Sequence, residues 1–193
     1  MSTKCRLICC GILQEEIKAV LSSLETTAEL EFLPPGLHVD LKKLENHLVT
    51  KLAVPCDRPR ILVYGSECHP GMPDWEREYQ VVRLTEPDCI GLVLGRERRL
   101  ELSREARTFY LTPGWLANWR EIFVAGLGWD GSEARRNFGF YERVLLLDTG
   151  ILPVSEEALL EFFDYVQVSI EILPVTLDNL RRELALALAK ASC

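Results

Sequence analysis

With 193 residues, 48% of them hydrophobic and 26% charged, the chain can build one sizeable core and sits near globular averages, which excludes disordered and fibrous classes. A formal charge of -7 argues against the extended cationic surface that binding to a phosphate backbone requires, with Arg96, Arg98 and Arg99 as the one local exception, so nucleic acid is not an expected partner. No window approaches the roughly 18 consecutive apolar residues of a membrane span, and the short apolar N-terminal run breaks at Gln14, Glu15 and Glu16 without a small-residue cleavage motif.

A cytoplasmic protein with one domain over 1–193 is therefore the expectation. Short β-rich runs alternate with helical patterns, which predicts an α/β fold: three-layer and Rossmann-like, with a mostly parallel sheet and helices on both faces. The first strand is predicted from Cys5 to Ile12. A helix over 13–24 follows, with Leu13, Ile17, Val20, Leu21 and Leu24 on one face. A second strand, Ala28 to Leu33, stops at Pro34-Pro35-Gly36. The next helix runs from Asp40, a natural N-cap, to Leu52. Ile61, Leu62 and Val63 form a strand buried on both faces. Residues 68–79 read as an irregular loop before a weaker run, Gln80 to Leu84.

Asp88 is placed to cap a short helix with Cys89 in its first turn. Arg96, Arg98 and Arg99 read as a solvated helix end carrying cations near its negative pole. A strand at Thr108 to Leu111 leads into a helix from Trp115 to Ala125. Residues 126–140 read mainly as loop or helix extension. The last third repeats the alternation as strand Val144 to Leu147, helix Ser155 to Phe163, strand Val168 to Leu173 and helix Leu177 to Lys190.

Seven cysteines are many for a reducing compartment, and their odd number and irregular spacing do not form a disulfide framework. In a parallel sheet the loops after the strand C-termini share one edge, where ligands bind. Cys10 closes the first strand, His38 lies in the loop after the second, Cys68 follows the third and Cys89 the fourth. Three thiolates and an imidazole are soft donors suited to zinc or, for three cysteines and a further ligand, to an iron–sulfur cluster. No CxxC pair is present, so the metal reading rests on convergence in space. Thr112, Gly114, Trp115 and Asp148 fall on the same predicted edge and are candidate cofactor-binding residues.

The remaining cysteines and histidines have plainer readings. Cys5 and Cys9 pack in the core, and neither Cys56 nor Cys193 has an assigned role. Cys89 at a helix start would have a stabilised thiolate, and His38 or His69 could act as base to it or to Cys68. His47 reads as a surface residue. Trp115, Trp119 and Phe123, at i, i+4 and i+8, read as a buried helix stripe.

Several segments occur together in order: Cys10-Gly11, Leu33-Pro34-Pro35-Gly36-Leu37-His38, Tyr64-Gly65 before Cys68, Asp88-Cys89-Ile90, Tyr110-Leu111-Thr112-Pro113-Gly114-Trp115, and Leu146-Leu147-Asp148-Thr149-Gly150. Over most of its length the chain thereby resembles the uncharacterised proteins grouped as domain of unknown function 1638. Members are often encoded near corrinoid-dependent methyltransferases. The resemblance therefore implies an accessory role in corrinoid or methyl-group metabolism, with a corrinoid as ligand or partner cofactor and a corrinoid protein or methyltransferase as partner. A glycine-rich YGLCG-like stretch of the family reads here as Tyr64-Gly65-Ser66-Glu67-Cys68-His69, which keeps the cysteine and alters the loop around it.

Three functional readings result. The first is a metal- or cofactor-binding accessory protein using Cys10, His38, Cys68 and Cys89. The second is a thiol-dependent transferase using Cys89 or Cys68. The third is a non-catalytic interaction protein whose cysteines only pack.

Overall fold

The apolar run of the first strand lies between two layers of helices, because its alternate side chains leave the sheet on opposite sides. In the computed structural model, which describes residues 5–192, β1 (Cys5–Cys10) sends Leu7 and Cys9 into one core and Ile8 into another. Parallel pairing joins β1 to β2 (Ala28–Leu33) on one side and to β3 (Arg60–Val63) on the other, and β3 pairs with the two-residue β4 (Val82–Arg83). The core on the Ile8 face is closed by α2 (Leu41–Leu52), through Leu44, Leu48 and Leu52, and by α3 (Met72–Glu78), through Met72 and Trp75. The opposite face receives α1 (Gln14–Ser23), whose Ile17, Val20 and Leu21 are buried at helical spacing.

The second half forms its own parallel sheet, β5 (Thr108–Leu111), β6 (Arg143–Asp148) and β7 (Ile170–Pro174), with β6 in the centre. The strands are thus parallel, as expected, but they make two sheets where the alternation suggested one. Both contribute to a continuous core: Leu7, Cys9, Ile61 and Val63 from the first sheet join Leu111 and Val144 to Leu147 from the second. The helix α9 (Asp178–Lys190) packs back on α1, α4 (Cys89–Leu94) and β4. Its buried Glu183 accepts hydrogen bonds from the Thr85 amide at 2.9 Å and the Thr85 hydroxyl at 2.7 Å.

Three helices were not legible as such. Met72–Glu78 is helical where a loop was expected. Arg96–Glu105 is a ten-residue helix, α5, so the arginine cluster sits at the start of a helix as well as beyond the end of α4. Gly131–Phe138 forms α7, started by an Asp130 and Glu133 capping box. The predicted helix over 115–125 divides into α6 (Pro113–Ala117) and a π-helical segment, Arg120–Gly126. Helix α8 (Glu156–Val166) follows its Ser155 cap as expected. Trp115, Trp119 and Phe123 are all buried. No helix among the described residues is long and apolar enough to cross a membrane.

Candidate functional site

Four chain segments meet at a cavity of about 530 Å³ between the two sheets. Cys10 reaches it from the end of β1. His38 comes from a short 3-10 turn, Leu37–Val39, where the Val39 amide donates to the Gly36 carbonyl at 3.0 Å. Cys68 is brought in by stitching of the loop after β3 to the loop after β4. The Ser66 amide donates to the Glu86 carbonyl at 2.8 Å and the Glu67 amide to the Pro87 carbonyl at 2.9 Å. Gly65 permits this crossing, since a Cβ there would lie 2.3 Å from the Pro87 carbonyl oxygen and the Asp88 Cα. Cys89 opens α4, whose first turn is capped by Asp88 accepting from the Gly91 amide at 2.8 Å.

Cys10, His38, Cys68, Cys89 and Trp115 therefore line one space. Thr112, Gly114 and Asp148 do not line it. Thr112 is fully buried and caps α6, accepting from the Trp115 amide at 3.3 Å. Gly114 packs on the chain after β1, where a Cβ would lie 1.9 Å from the Ile12 carbonyl oxygen. Asp148 accepts from the Gly150 amide at 2.9 Å in the turn after β6. The neighbouring Thr149 hydroxyl donates to the buried Glu16 at 3.0 Å, tying this turn to α1.

His69 turns away from the cavity. Its ring stacks on Trp75 at 4.7 Å and its Nδ1 accepts from the Gly71 amide at 2.9 Å. Cys68 lines the cavity while also packing against the Ile8-side core, and His69 does not line it. His38 instead packs edge-on against Trp115 at 5.1 Å. Cys9 is buried in the core, and His47 is a surface residue whose Nδ1 lies 2.8 Å from the Lys43 carbonyl. Cys5 is likewise fully buried, but it is also disulfide-bonded, so packing alone does not describe it. Cys193 lies outside the described residues.

Burial decides the electrostatics of the thiols. It pushes Cys10 up to about 11, opposed by a hydrogen bond from the Ile12 backbone and by the nearby Tyr64 hydroxyl. Cys68 is pushed up to about 12 by burial, then by Cys10. Cys89 is raised by burial, then by Cys10, and the Trp115 side chain opposes this only in part. The stabilised thiolate expected at Cys89 is therefore corrected. A six-residue helix has a weak positive end, its capping Asp88 carries negative charge beside it, and desolvation outweighs both dipole and indole. His38 is lowered by burial, which the Asp88 carboxylate opposes, so the imidazole is neutral.

Sequence reasoning missed Tyr64 and Arg99. The Tyr64 hydroxyl lies close enough to Cys10 to affect its ionisation, yet it is buried and makes no well-aligned hydrogen bond. A buried hydroxyl without a partner costs free energy unless a ligand supplies one. Arg99, expected from the sequence at a solvated helix end, lines the cavity and places Nη1 at 2.7 Å from both Asp88 carboxylate oxygens. The signal was weak in both cases: a strand-end tyrosine, and one arginine among three. Phe109, Tyr110 and Tyr141 complete an aromatic wall, with Phe109 and Tyr141 in edge contact at 5.4 Å.

The donors surround the cavity without closing on a point. Among the described residues no group of three or more His, Cys, Asp or Glu side chains is arranged to hold a single metal ion.

Fold and site together define an α/β protein of two parallel sheets with a cavity between them lined by cysteines and aromatic rings. The chain belongs to the family described as protein of unknown function (DUF1638), whose model matches residues 32–184. The match takes in His38, Cys68 and Cys89 and begins after Cys10. Comparison with curated proteins and with solved structures gives no match.

Proposed function

We propose that the protein is a metal- or cofactor-binding accessory protein, with Cys10, Cys68 and Cys89 as soft donors and His38 as a fourth or neighbouring group. One observation carries this reading: four soft-donor side chains from separate segments, Cys10, His38, Cys68 and Cys89, line one cavity. A bare zinc ion needs four donors at about 2.0–2.3 Å, and these donors are more widely spread. A bulkier group, such as an iron–sulfur cluster or the metal of a larger cofactor, suits them better. The Tyr64 hydroxyl would donate to a sulfur or oxygen of that group.

Thiols held protonated by burial must lose protons to ligate, so uptake strengthens as pH rises. The same protonation disfavours a nucleophilic role for Cys89 or Cys68 near neutrality. From the family resemblance we further infer a link to corrinoid or methyl-group metabolism, with a corrinoid protein or methyltransferase as partner. Elemental analysis and absorption spectroscopy of protein purified without oxygen test the reading. A stoichiometric metal lost in the Cys10→Ser, Cys68→Ser and Cys89→Ser variants is expected, and metal-free protein at full function would overturn it.

A further inference from the structure

A second groove, of about 550 Å³, also borders α4 and shares no lining residue with the cysteine cavity. Glu86 lines it and is 8% exposed, yet its carboxylate has no hydrogen-bond or ion-pair partner among the described residues. Unlike Arg6 Nε and the Tyr64 hydroxyl, its oxygens are not sealed from solvent, and the groove is the space they reach. Gly91 makes room for the group: a Cβ there would lie 2.8 Å from Glu86 Oε2, so the carboxylate rests against the backbone of α4. A carboxylate held largely out of water without donors is destabilising, and a cation carrying N–H groups relieves it. Among the described residues no group of three or more His, Cys, Asp or Glu side chains is arranged for a metal ion, which leaves an ammonium as the fitting cation.

One helical turn further along, the Gly95 amide donates to the Gly91 carbonyl at 2.8 Å and α5 begins. Gly95 has no side chain to cap the first turn of α5, and the start of α9, which lines the same groove, is not side-chain capped either. Two positive helix ends favour an anionic group. Arg96, at the first position of α5, also has no partner among the described residues, whereas Arg98 is bound by Glu101 at 2.9 Å. Four residues of helix rise about 6 Å, so Glu86 and the start of α5 stand apart by the span of a small molecule with its hydrogen bonds. Glu86, Glu97 and Asp178 oppose Arg96, Arg98 and Arg182 along the groove, so a ligand of no net charge matches it. Val93 and Leu94 supply apolar wall.

We propose that this groove binds a free aliphatic α-amino acid, its ammonium on Glu86 and its carboxylate at the start of α5 beside Arg96. The proposal does not depend on what the cysteine cavity holds.

Three probes with one carbon skeleton test it: L-leucine, 3-methylbutylamine and 4-methylpentanoate, which carry both charges, the cation alone and the anion alone. Titrated by calorimetry into the full-length chain, leucine should bind at least tenfold more tightly than either analogue. Glu86→Gln should weaken leucine and the amine at least tenfold and leave the acid no weaker. Arg96→Gln should do the reverse, weakening leucine and the acid severalfold and sparing the amine. Removal of an unpartnered buried charge should also raise the urea midpoint of ligand-free Glu86→Gln, a gain that misfolding cannot produce. No leucine binding at millimolar concentration, an analogue binding as tightly as leucine, or unchanged leucine affinity in Glu86→Gln would each overturn the proposal. So would a lower urea midpoint in that variant, which would show Glu86 to be paired within the protein.

Discussion

The thiols of the cavity should be slow nucleophiles, in contrast to an exposed cysteine. At pH 8 an ordinary thiol with a pKa of about 8.5 is roughly one quarter thiolate. With Cys10 pushed up to about 11, only about one thiol in a thousand is ionised at that pH, a deficit of roughly 240-fold. The more basic thiolate is intrinsically more reactive, and a Brønsted coefficient of about 0.4–0.5 returns roughly tenfold of this. Cys10 should therefore alkylate about 20-fold more slowly than an exposed cysteine in an unstructured model peptide, before any hindrance from the cavity wall. Cys89, also raised by burial, should lag as well. The assay is iodoacetamide labelling of metal-free protein at pH 8, resolved by mass spectrometry and repeated in denaturant, where the sites should converge. Labelling of native Cys10 or Cys89 at or above the reference rate would refute the claim that burial overrides the helix end.

Stability should respond to the same groups. Cys10 and Cys68 have folded values above their unfolded ones, so their contribution is complete below about pH 8.5 and declines as pH rises towards 11–12. Urea midpoints from pH 8 to 11 should fall, and a Cys10→Ala and Cys68→Ala double variant should flatten that fall. His38 is shifted the other way: its neutral form is favoured above its unfolded value, and stability drops as pH falls below about 6.5. A His38→Gln variant should lose that acid-side dependence in the same measurement. Gly114→Ala forces a Cβ against the Ile12 carbonyl and should cost about 3 kcal/mol or more in denaturant unfolding; wild-type stability would show that this close approach is not needed. Glu183→Gln weakens the two bonds to Thr85 and should cost about 1–3 kcal/mol, checked by the same unfolding curves.

The elements that sequence made legible are those with a strong period or a clear cap. Leu44, Leu48 and Leu52 mark α2, Asp40 and Asp88 cap their helices, and Ile61 to Val63 mark a doubly buried strand. Helix α5 escaped because Arg96–Glu105 is polar nearly all round and buries only Leu102. The division into two sheets was equally hidden, because β4 has only two residues and the same alternation serves one sheet or two. Convergence of Cys10, His38, Cys68 and Cys89 was legible because strand-end position alone brings them to one edge. What that rule could not supply was side-chain direction or burial. Thr112 and Gly114 share the edge yet serve capping and close packing, and the ionisation of Cys89 depends on neighbours from other segments.

Protein purified without oxygen should carry a soft metal or metal-containing cofactor in fixed ratio, seen by elemental analysis and by an absorption band of thiolate–metal charge transfer. Cys10→Ser, Cys68→Ser and Cys89→Ser should each remove it, while Cys56→Ser, away from the cavity, should leave it unchanged. Substoichiometric metal that is indifferent to all three cavity cysteines would contradict the account.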